Sequence, residues 1–255
     1  MPGARTAVAA TSRNRPSPNH TERRGTNRPD MIVLHYTGMT NAAAAIERLC
    51  DPAAEVSAHY VVDMTGEASC LVPETRRAWH AGQAAWGGVT DVNSHSIGIE
   101  IVNPGHELGY PPFGEMQMQS VEALIAGAMD RWAIPPERVV GHACVSPGRK
   151  IDPGEKLDWR RLARKGLAVW LDPEPGSTDT ADAAAFREAV RGIGYPVPEA
   201  DTWSPEMLAV WRSFAMRFLP AMAHGRPFSA GVAHATRIAD RWPVDRTKAN
   251  QSDLP

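Results

Sequence analysis

The chain has 255 residues, and its 27 lysines and arginines against 29 aspartates and glutamates give a formal net charge of −2. A general nucleic-acid binder usually carries a basic excess that neutralises phosphates, so this charge argues against that class. Hydrophobic residues make up 43% and charged residues 22% of the chain, which is typical of a folded globular protein. Three cysteines without a C-x-x-C pair argue against a disulfide framework and against a cysteine-only zinc site.

Residues 1–27 form a polar N-terminal arm, rich in proline, arginine and asparagine, which we expect either to wrap around the domain or to stay disordered. The apolar patch at 6–10 is five residues long, shorter than the about 7–15 apolar residues of a secretory signal. No apolar run approaches the ~20 residues of a transmembrane helix. We therefore expect a cytoplasmic protein without a transmembrane segment, with the periplasm as the alternative location.

Residues 28–171 alternate predicted strands with predicted helices, as expected for one α/β domain with a mixed central β-sheet flanked by helices. A glycine turn joins the second and third strands into a predicted β-hairpin, and the proline-rich segment 143–154 is predicted to be a loop. Strands are predicted at 31–36, 58–62, 68–72, 96–102 and 138–142, and helices at 41–50, 115–132 and 156–170.

The composition changes at residues 172–180, where proline, glycine, serine, threonine and aspartate predict a linker. Beyond it, residues 181–245 carry helical periodicity at 181–191, 204–219 and 229–242, with no strand signal. The chain therefore predicts a small all-helical C-terminal domain, near the lower size limit for an independent core. Residues 246–255 are predicted to be a tail.

Two histidines and an aspartate are the candidate metal ligands. His35 ends the first strand, His142 ends the strand at 138–142, and Asp152 follows ten residues later. A catalytic zinc ion takes three protein ligands and leaves one position for water, which this set would satisfy. A single histidine at a strand end is more often structural, so the hypothesis depends on the three residues meeting in space.

Glu100 and Lys150 are the candidate catalytic groups. Glu100 interrupts the apolar strand at 97–102, and burial of a carboxyl group raises its pKa towards the range that suits a general base. The alternative is a glutamate at a frayed strand end that reaches solvent. Lys150 lies two residues before Asp152 and could stabilise the oxyanion of a tetrahedral intermediate, although the spacing alone favours a solvent-exposed lysine.

Five short segments, in this order, strongly resemble the type 2 zinc N-acetylmuramoyl-L-alanine amidases, the AmpD/AmiD-like family, which is related to peptidoglycan recognition proteins and to phage T7 lysozyme. The resemblance covers about residues 28–170, and the helices that follow are similar, more weakly, to peptidoglycan-binding modules. The segments are 32–37 (IVLHYT), 57–60 (SAHY), 78–82 (AWHAG), 93–100 (NSHSIGIE) and 141–154 (GHACVSPGRKIDPG).

The resemblance implies a zinc amidohydrolase that cleaves the amide between N-acetylmuramic acid, including its 1,6-anhydro form, and L-alanine of peptidoglycan stem peptides, in cell-wall turnover and recycling. It implies one Zn²⁺ and muropeptides as the substrates. The implied roles are zinc binding for His35, His142 and Asp152, acid/base catalysis for Glu100, stabilisation of the intermediate for Lys150, and substrate binding for Tyr36, His80 and Arg149.

Several alternatives stay open at the level of sequence. A non-catalytic peptidoglycan-binding or sensing protein on the same fold is the competing function, although such a protein needs neither an open metal site nor a buried base. Trp79 and Trp86 either stack on a sugar or cover the core. His59 is expected to be packed rather than ligating, and His95 and His106 are expected to be solvated. The sequence is silent on oligomeric state.

Overall fold

The computed structural model of the protein describes residues 13–243, with side chains from residue 15 onwards. Residues 1–12 of the predicted arm and the predicted tail at 246–255 lie outside the described residues. The described part of the arm is packed on the fold: its two short strands, Arg13–Asn14 and His20–Thr21, each pair with a strand from later in the chain.

A six-stranded mixed sheet forms the centre of the fold, with strands in the order β1-β5-β4-β7-β3-β8. Strands β4, β7, β3 and β8 run parallel to one another, and β4 and β5 form the predicted antiparallel hairpin. Strands β2 and β6 form a separate two-stranded ribbon. The bounds are β1 (Arg13–Asn14), β2 (His20–Thr21), β3 (Met31–Tyr36), β4 (Tyr60–Val62), β5 (Ala68–Cys70), β6 (Arg77–Ala78), β7 (Ser96–Ile101) and β8 (Val139–Gly141).

Five of the eight α-helices in the described part of the chain begin where a polar side chain accepts from a free backbone N–H. The Asn41 side chain accepts from Ala44 N, and the Ser204 side chain accepts from Met207 N, so both predicted N-caps are confirmed. The α-helices are α1 (Ala42–Cys50), α2 (Val92–His95), α3 (Glu115–Trp132), α4 (His142–Val145), α5 (Trp159–Arg164), α6 (Ala183–Ile193), α7 (Pro205–Phe218) and α8 (Ser229–Arg241).

One predicted helix is wrong in extent. The helix expected over residues 156–170 is only α5, because the Asp158 side chain caps it by accepting from Arg161 N and Gly166 follows its last turn at φ 72°. The flanking apolar residues Leu157 and Leu167 are buried in the core from non-helical backbone. The spacing of these buried apolar residues therefore resembles that of a helix, although their backbone is not helical.

The sheet is covered on both faces, as the continuous apolar run of β3 predicts. Ile32 and Leu34 pack with α3 and α5, whereas Met31 and Val33 belong to a cluster that includes residues of α6, α7 and α8. The C-terminal helices thus share their apolar core with the sheet. Whether residues 28–171 and 181–245 fold as separate domains stays a prediction.

Strand β8 and the short helix α4 that follows it are each joined to α7 by one hydrogen bond. Ser213 Oγ donates to the carbonyl oxygen of Ala143 at 2.5 Å, and the buried Arg217 donates to that of Val139 at 3.0 Å. His142 lies between these two carbonyl groups in the chain. Helix α7 therefore supports the backbone that carries one candidate metal ligand.

Between residues 13 and 243, no helix combines the length and apolar character needed to cross a membrane.

Candidate active site

The pleat of two neighbouring strands brings His35 and Glu100 to the same face of the sheet. Strands β3 and β7 are parallel, and His35 is directly opposite Glu100 in their register. The isoleucines of β7 at 97, 99 and 101 pack in the core on the other side. Because side chains alternate along a strand, Glu100 must point away from that core, which explains a carboxylate inside an apolar strand.

His35, His142 and Asp152 meet at one point, although they lie up to 117 residues apart in the chain. The Nδ1 atoms of the two histidines are 2.9 Å apart, and each lies 3.1 Å from Asp152 Oδ2. Ligand atoms of a tetrahedral zinc ion, with bonds of about 2.0–2.1 Å, are separated by roughly 3.3 Å. The three residues are 1%, 3% and 7% exposed, so the structure contains a buried group that can hold a metal ion.

The hydrogen-bond partners of this group leave lone pairs directed at one point, which favours the binding of a cation there. The nearer partner of His142 Nε2 is the carbonyl oxygen of Ala81 at 3.1 Å, which can only accept, whereas Arg149 Nη2 lies at 3.5 Å, the outer limit of a hydrogen bond. The proton of the neutral ring is therefore on Nε2, and its Nδ1 carries a lone pair. Asp152 Oδ2 also offers only lone pairs when ionised. Electron pairs that converge in a buried place are stabilised by a positive charge among them.

The protonation state of His35 suits metal binding. Burial, together with the neighbouring His142, lowers the pKa of His35 to about 4. His35 is therefore neutral at neutral pH, the form in which an imidazole binds a metal.

Glu100 carries an unsatisfied buried oxygen. Among the described residues, no hydrogen-bond partner reaches its Oε2. Burial and the negative charge of Asp152 raise the pKa of Glu100 well above its usual value, while the charge of Lys150 acts in the opposite direction. A perturbed carboxyl group beside a candidate metal site is a strong candidate for proton transfer.

An open cavity of about 500 Å³ leads to this group. Lys150 lines it together with His35 and Glu100, and the charge of Lys150 acts to lower the pKa of both groups. Trp79 lines the cavity too, whereas Trp86 is a core residue packed against Tyr195 at 4.9 Å between ring centroids. Of these two tryptophans, Trp79 is therefore the one that lies where it can contact a sugar.

Three residues predicted to bind substrate, Tyr36, His80 and Arg149, also line the cavity. The Tyr36 hydroxyl lies 3.0 Å from His106 Nδ1, and burial raises the pKa of Tyr36 to about 12. The Arg149 guanidinium donates to protein acceptors, including the carbonyl oxygen of Gln83 at 2.8 Å. Substrate binding by the three residues stays a prediction.

His106 is not the solvated loop residue that the sequence predicted. Its Nε2 lies 3.1 Å from Glu155 Oε2, and its ring stacks on Tyr110 with centroids 4.1 Å apart. His106 thus links Glu155 to Tyr36 in the cavity wall. No local pattern could have revealed the two hydrogen bonds, because these partners lie 70 and 49 residues away in the chain.

Hydrolases with a buried site that can hold a metal ion are the class of protein that this fold and this site define. A family model described as N-acetylmuramoyl-L-alanine amidase matches residues 25–155, about half of the chain. The chain therefore belongs to the N-acetylmuramoyl-L-alanine amidase family. This confirms the family expected from the five segments and, with it, the prediction of an enzyme that hydrolyses an amide in peptidoglycan turnover.

Known amidases match most of the chain. The N-acetylmuramoyl-L-alanine amidase AmiD of Escherichia coli is 32% identical over 235 residues, which is 84% of each protein. Its solved complex with the substrate anhydro-N-acetylmuramic acid-L-Ala-D-gamma-Glu-L-Lys superimposes with a TM-score of 0.78 at 30% identity, covering 88% of this chain and 98% of that one. AmpDh3 of Pseudomonas aeruginosa, solved with an anhydromuramic pentapeptide, gives a TM-score of 0.74 at 29% identity, covering 86% of this chain and 96% of that one.

A shorter relative matches less of the chain. The 1,6-anhydro-N-acetylmuramyl-L-alanine amidase AmpD of Citrobacter freundii is 30% identical over 170 residues, which cover 60% of this chain and 89% of AmpD. The match to AmiD thus covers 84% of this chain and the match to AmpD covers 60%.

Proposed function

We propose that the protein uses zinc to hydrolyse the amide between the lactyl group of N-acetylmuramic acid, including its 1,6-anhydro form, and L-alanine of the stem peptide. The observation that carries the proposal is the meeting of His35, His142 and Asp152 in the wall of one cavity that Glu100 also lines, where Glu100 Oε2 has no hydrogen-bond partner in the described part of the chain. AmiD and AmpDh3, which share this fold, have been solved with anhydromuramyl peptides, which supports the same substrate class here.

His35, His142 and Asp152 would hold the zinc ion. Two imidazole nitrogens and one carboxylate oxygen are ligands that zinc prefers, and three protein ligands are the number found in catalytic zinc sites. When bound, zinc supplies a Lewis acid that polarises the scissile carbonyl group and makes water more acidic.

Glu100 would move the proton. Its raised pKa lets the carboxylate accept a proton from the attacking water and then return that proton to the departing amine of L-alanine. Lys150, whose charge acts on both Glu100 and His35, would face the oxygen of the tetrahedral intermediate and stabilise its negative charge. Glu100 would thus carry the proton through both transfers, and Lys150 would stabilise the negative charge between them.

The cavity residues would orient the muropeptide. Trp79 offers an aromatic surface for a sugar ring, and Tyr36 and Arg149 offer polar groups beside it. We propose Tyr36, His80 and Arg149 as residues of the substrate-binding wall. The muropeptide is the partner that this cavity fits.

A peptide-release assay on the zinc-loaded protein tests the function. Anhydro-muropeptides, ordinary N-acetylmuramyl peptides and intact sacculi serve as parallel substrates, with released stem peptides identified by mass spectrometry. His142→Ala is expected to lose both zinc and turnover, whereas the matched control His95→Ala, which removes a histidine that contacts Asp30 away from the cavity, keeps both. Binding of muropeptides without any release would instead establish a peptidoglycan-binding protein.

We also propose that residues 181–245, after the linker at 172–180, act as a peptidoglycan-binding-like unit beside the amidase domain at 28–171. The longer match to AmiD than to AmpD supports this proposal. Pelleting of the whole protein with sacculi, compared between wild type and surface variants of α8, tests it. The compartment stays the one predicted, the cytoplasm with the periplasm as the alternative, and cell fractionation decides between them.

A further inference from the structure

A two-residue segment of the cavity wall, His80–Ala81, contacts both candidate histidine ligands. His80 Nδ1 lies 3.0 Å from His35 Nε2, and the Ala81 carbonyl oxygen lies 3.1 Å from His142 Nε2. In both cases the atom contacted is the ring nitrogen that points away from the candidate metal position. The segment can therefore determine which nitrogen of each histidine carries the proton.

The direction of every hydrogen bond on the His35 side follows from one backbone carbonyl group. Ser96 Oγ donates to the carbonyl oxygen of Val92 at 2.6 Å. With its only proton used, Ser96 Oγ must accept at its other contact, from His80 Nε2 at 3.1 Å. The proton of the neutral His80 ring is then on Nε2, and its Nδ1 accepts from His35 Nε2–H.

This chain of hydrogen bonds leaves His35 Nδ1 with a lone pair directed at His142 Nδ1 and Asp152 Oδ2. The Ala81 carbonyl oxygen produces the same result at His142. Both histidines thus present Nδ1 as a ligand before any metal arrives, and neither needs to change its tautomer when the metal binds.

The position of His80 is itself held tightly. Asn93 Oδ1 accepts from His80 N at 3.0 Å and from Ala81 N at 2.8 Å. Gly98 lies directly against the His80 ring, because a Cβ atom at that position would come within 2.5 Å of it. The glycine in β7 therefore makes room for the imidazole, and the asparagine fixes the backbone on either side of it.

We propose that His80 is a positioning residue that acts through His35: held by Ser96 and Asn93, it keeps the proton on His35 Nε2 and so prepares His35 Nδ1 for the metal. The inference rests on the proposed function in that zinc is the metal. A hydrogen bond of this kind to a ligating histidine typically changes metal affinity or activity by about 10–100-fold.

Two nearly isosteric variants isolate the hydrogen bond. His80→Leu removes the acceptor, whereas His80→Asn keeps a side-chain oxygen near the place of Nδ1. Zinc dissociation constants, measured by competition with a chromophoric chelator, are expected to rise about 10–100-fold in His80→Leu and clearly less in His80→Asn. His95→Asn, a histidine substitution away from the site, is expected to keep the wild-type constant. Equal zinc affinity of His80→Leu and His80→Asn would overturn the proposal.

The tautomer itself provides a readout that a merely structural role would not move. Long-range proton–nitrogen correlation spectra of the zinc-free protein, recorded above the ordinary histidine pKa of about 6.5, are expected to show the Nε2–H form of His35 in wild type. In His80→Leu the proton is expected to move to Nδ1, where Asp152 accepts it. An unchanged His35 tautomer in that variant would contradict the proposal.

Ser96→Ala keeps the proposal testable if His80→Leu does not fold. This variant removes the acceptor that holds the proton on His80 Nε2, so it is expected to weaken zinc binding in the same direction. Wild-type affinity and an unchanged His35 tautomer in Ser96→Ala would again count against the chain of hydrogen bonds.

The outcomes separate the two proposals. Zinc binding by the wild-type protein without peptide release would refute the proposed function and leave the role of His80 standing. Peptide release by wild type together with equal affinities of the two His80 variants would refute the role of His80 alone.

Discussion

Replacement of Glu100 by glutamine is expected to have opposite effects on catalysis and on stability. The catalytic loss follows from the removal of the general base, which typically contributes about 10²–10⁴-fold to the rate. The stability gain follows from the carboxyl group itself, whose Oε2 is buried without a hydrogen-bond partner among the described residues. Zinc binding should survive, since Glu100 is not one of the three ligand residues.

The size of the stability gain can be worked out from that orphaned oxygen. A buried polar group without a partner costs about 1–3 kcal/mol, and more when it is charged. Glutamine keeps the shape and leaves the same buried position without a partner, but it removes the negative charge, so we expect the free energy of unfolding of zinc-free Glu100→Gln to exceed that of the ionised wild type by about 1–3 kcal/mol. For a chain of this size, each kcal/mol corresponds to a rise in Tm of about 2–4 °C.

The gain should increase with pH. The folded-state pKa of Glu100 is raised above its value in the unfolded chain, so the contribution of Glu100 to stability is most favourable below the unfolded pKa of about 4.3. This contribution is lost as the pH rises through the folded-state pKa. Glu100→Gln lacks this loss, and the difference between the two proteins should therefore be small in acid and largest above neutrality.

Glu74 supplies a matched control. It is also buried, but its carboxylate accepts from Arg131, Trp132 and Tyr60 at 2.6–2.9 Å, and these partners outweigh burial and lower its pKa. Glu74→Gln should therefore lose stability above the unfolded pKa, by about 1.5–3 kcal/mol, and the difference from wild type should shrink as the pH falls. Peptide release should persist.

Urea denaturation of the zinc-free proteins across a pH series measures both effects, and the peptide-release assay measures turnover of the zinc-loaded forms. Full activity in Glu100→Gln would refute its role as the base. Destabilisation of Glu100→Gln as large as that of Glu74→Gln would refute the inference that its carboxyl group is unsatisfied.

Three further predictions concern the metal, its support and the cavity. Removal of zinc by a chelator should abolish turnover and lower the Tm, and zinc added back at about 100 times its Kd should restore about 2.7 kcal/mol of the free energy of unfolding. Zinc affinity should fall towards acid pH, because protons compete for the ligands. A Tm that does not respond to zinc would contradict the site. Ser213→Ala leaves the buried Ala143 carbonyl group without its donor at 2.5 Å. Denaturation should therefore show a loss of about 1–3 kcal/mol in stability, and zinc titration should show weaker binding. Unchanged values would refute the role of α7 in supporting His142. Trp79→Ala should raise KM for muropeptides by up to about tenfold, as expected for the loss of an aromatic contact of about 0.5–1.5 kcal/mol, with kcat little changed; an unchanged KM would remove Trp79 from the substrate site.

Much of the fold could be predicted from the sequence, because the signals involved are local. The run from Met31 to Tyr36 and the spacing of α3 predicted elements that the structure contains with the same bounds. Helix α5 was predicted too long, because Leu157 and Leu167 face the core from loops and periodicity alone cannot distinguish a buried loop from a helix.

The identities of the candidate metal ligands and of Glu100 were likewise determined by the sequence, since ligand chemistry belongs to residue types and the five segments carry them. Only the tertiary structure decided how they work together. The register of β3 against β7 sets Glu100 beside His35, and the hydrogen bond from His35 to His80 spans 45 residues of chain. Such contacts depend on how strands and loops pack in three dimensions, and no pattern of neighbouring residues encodes the direction in which a proton is donated between them.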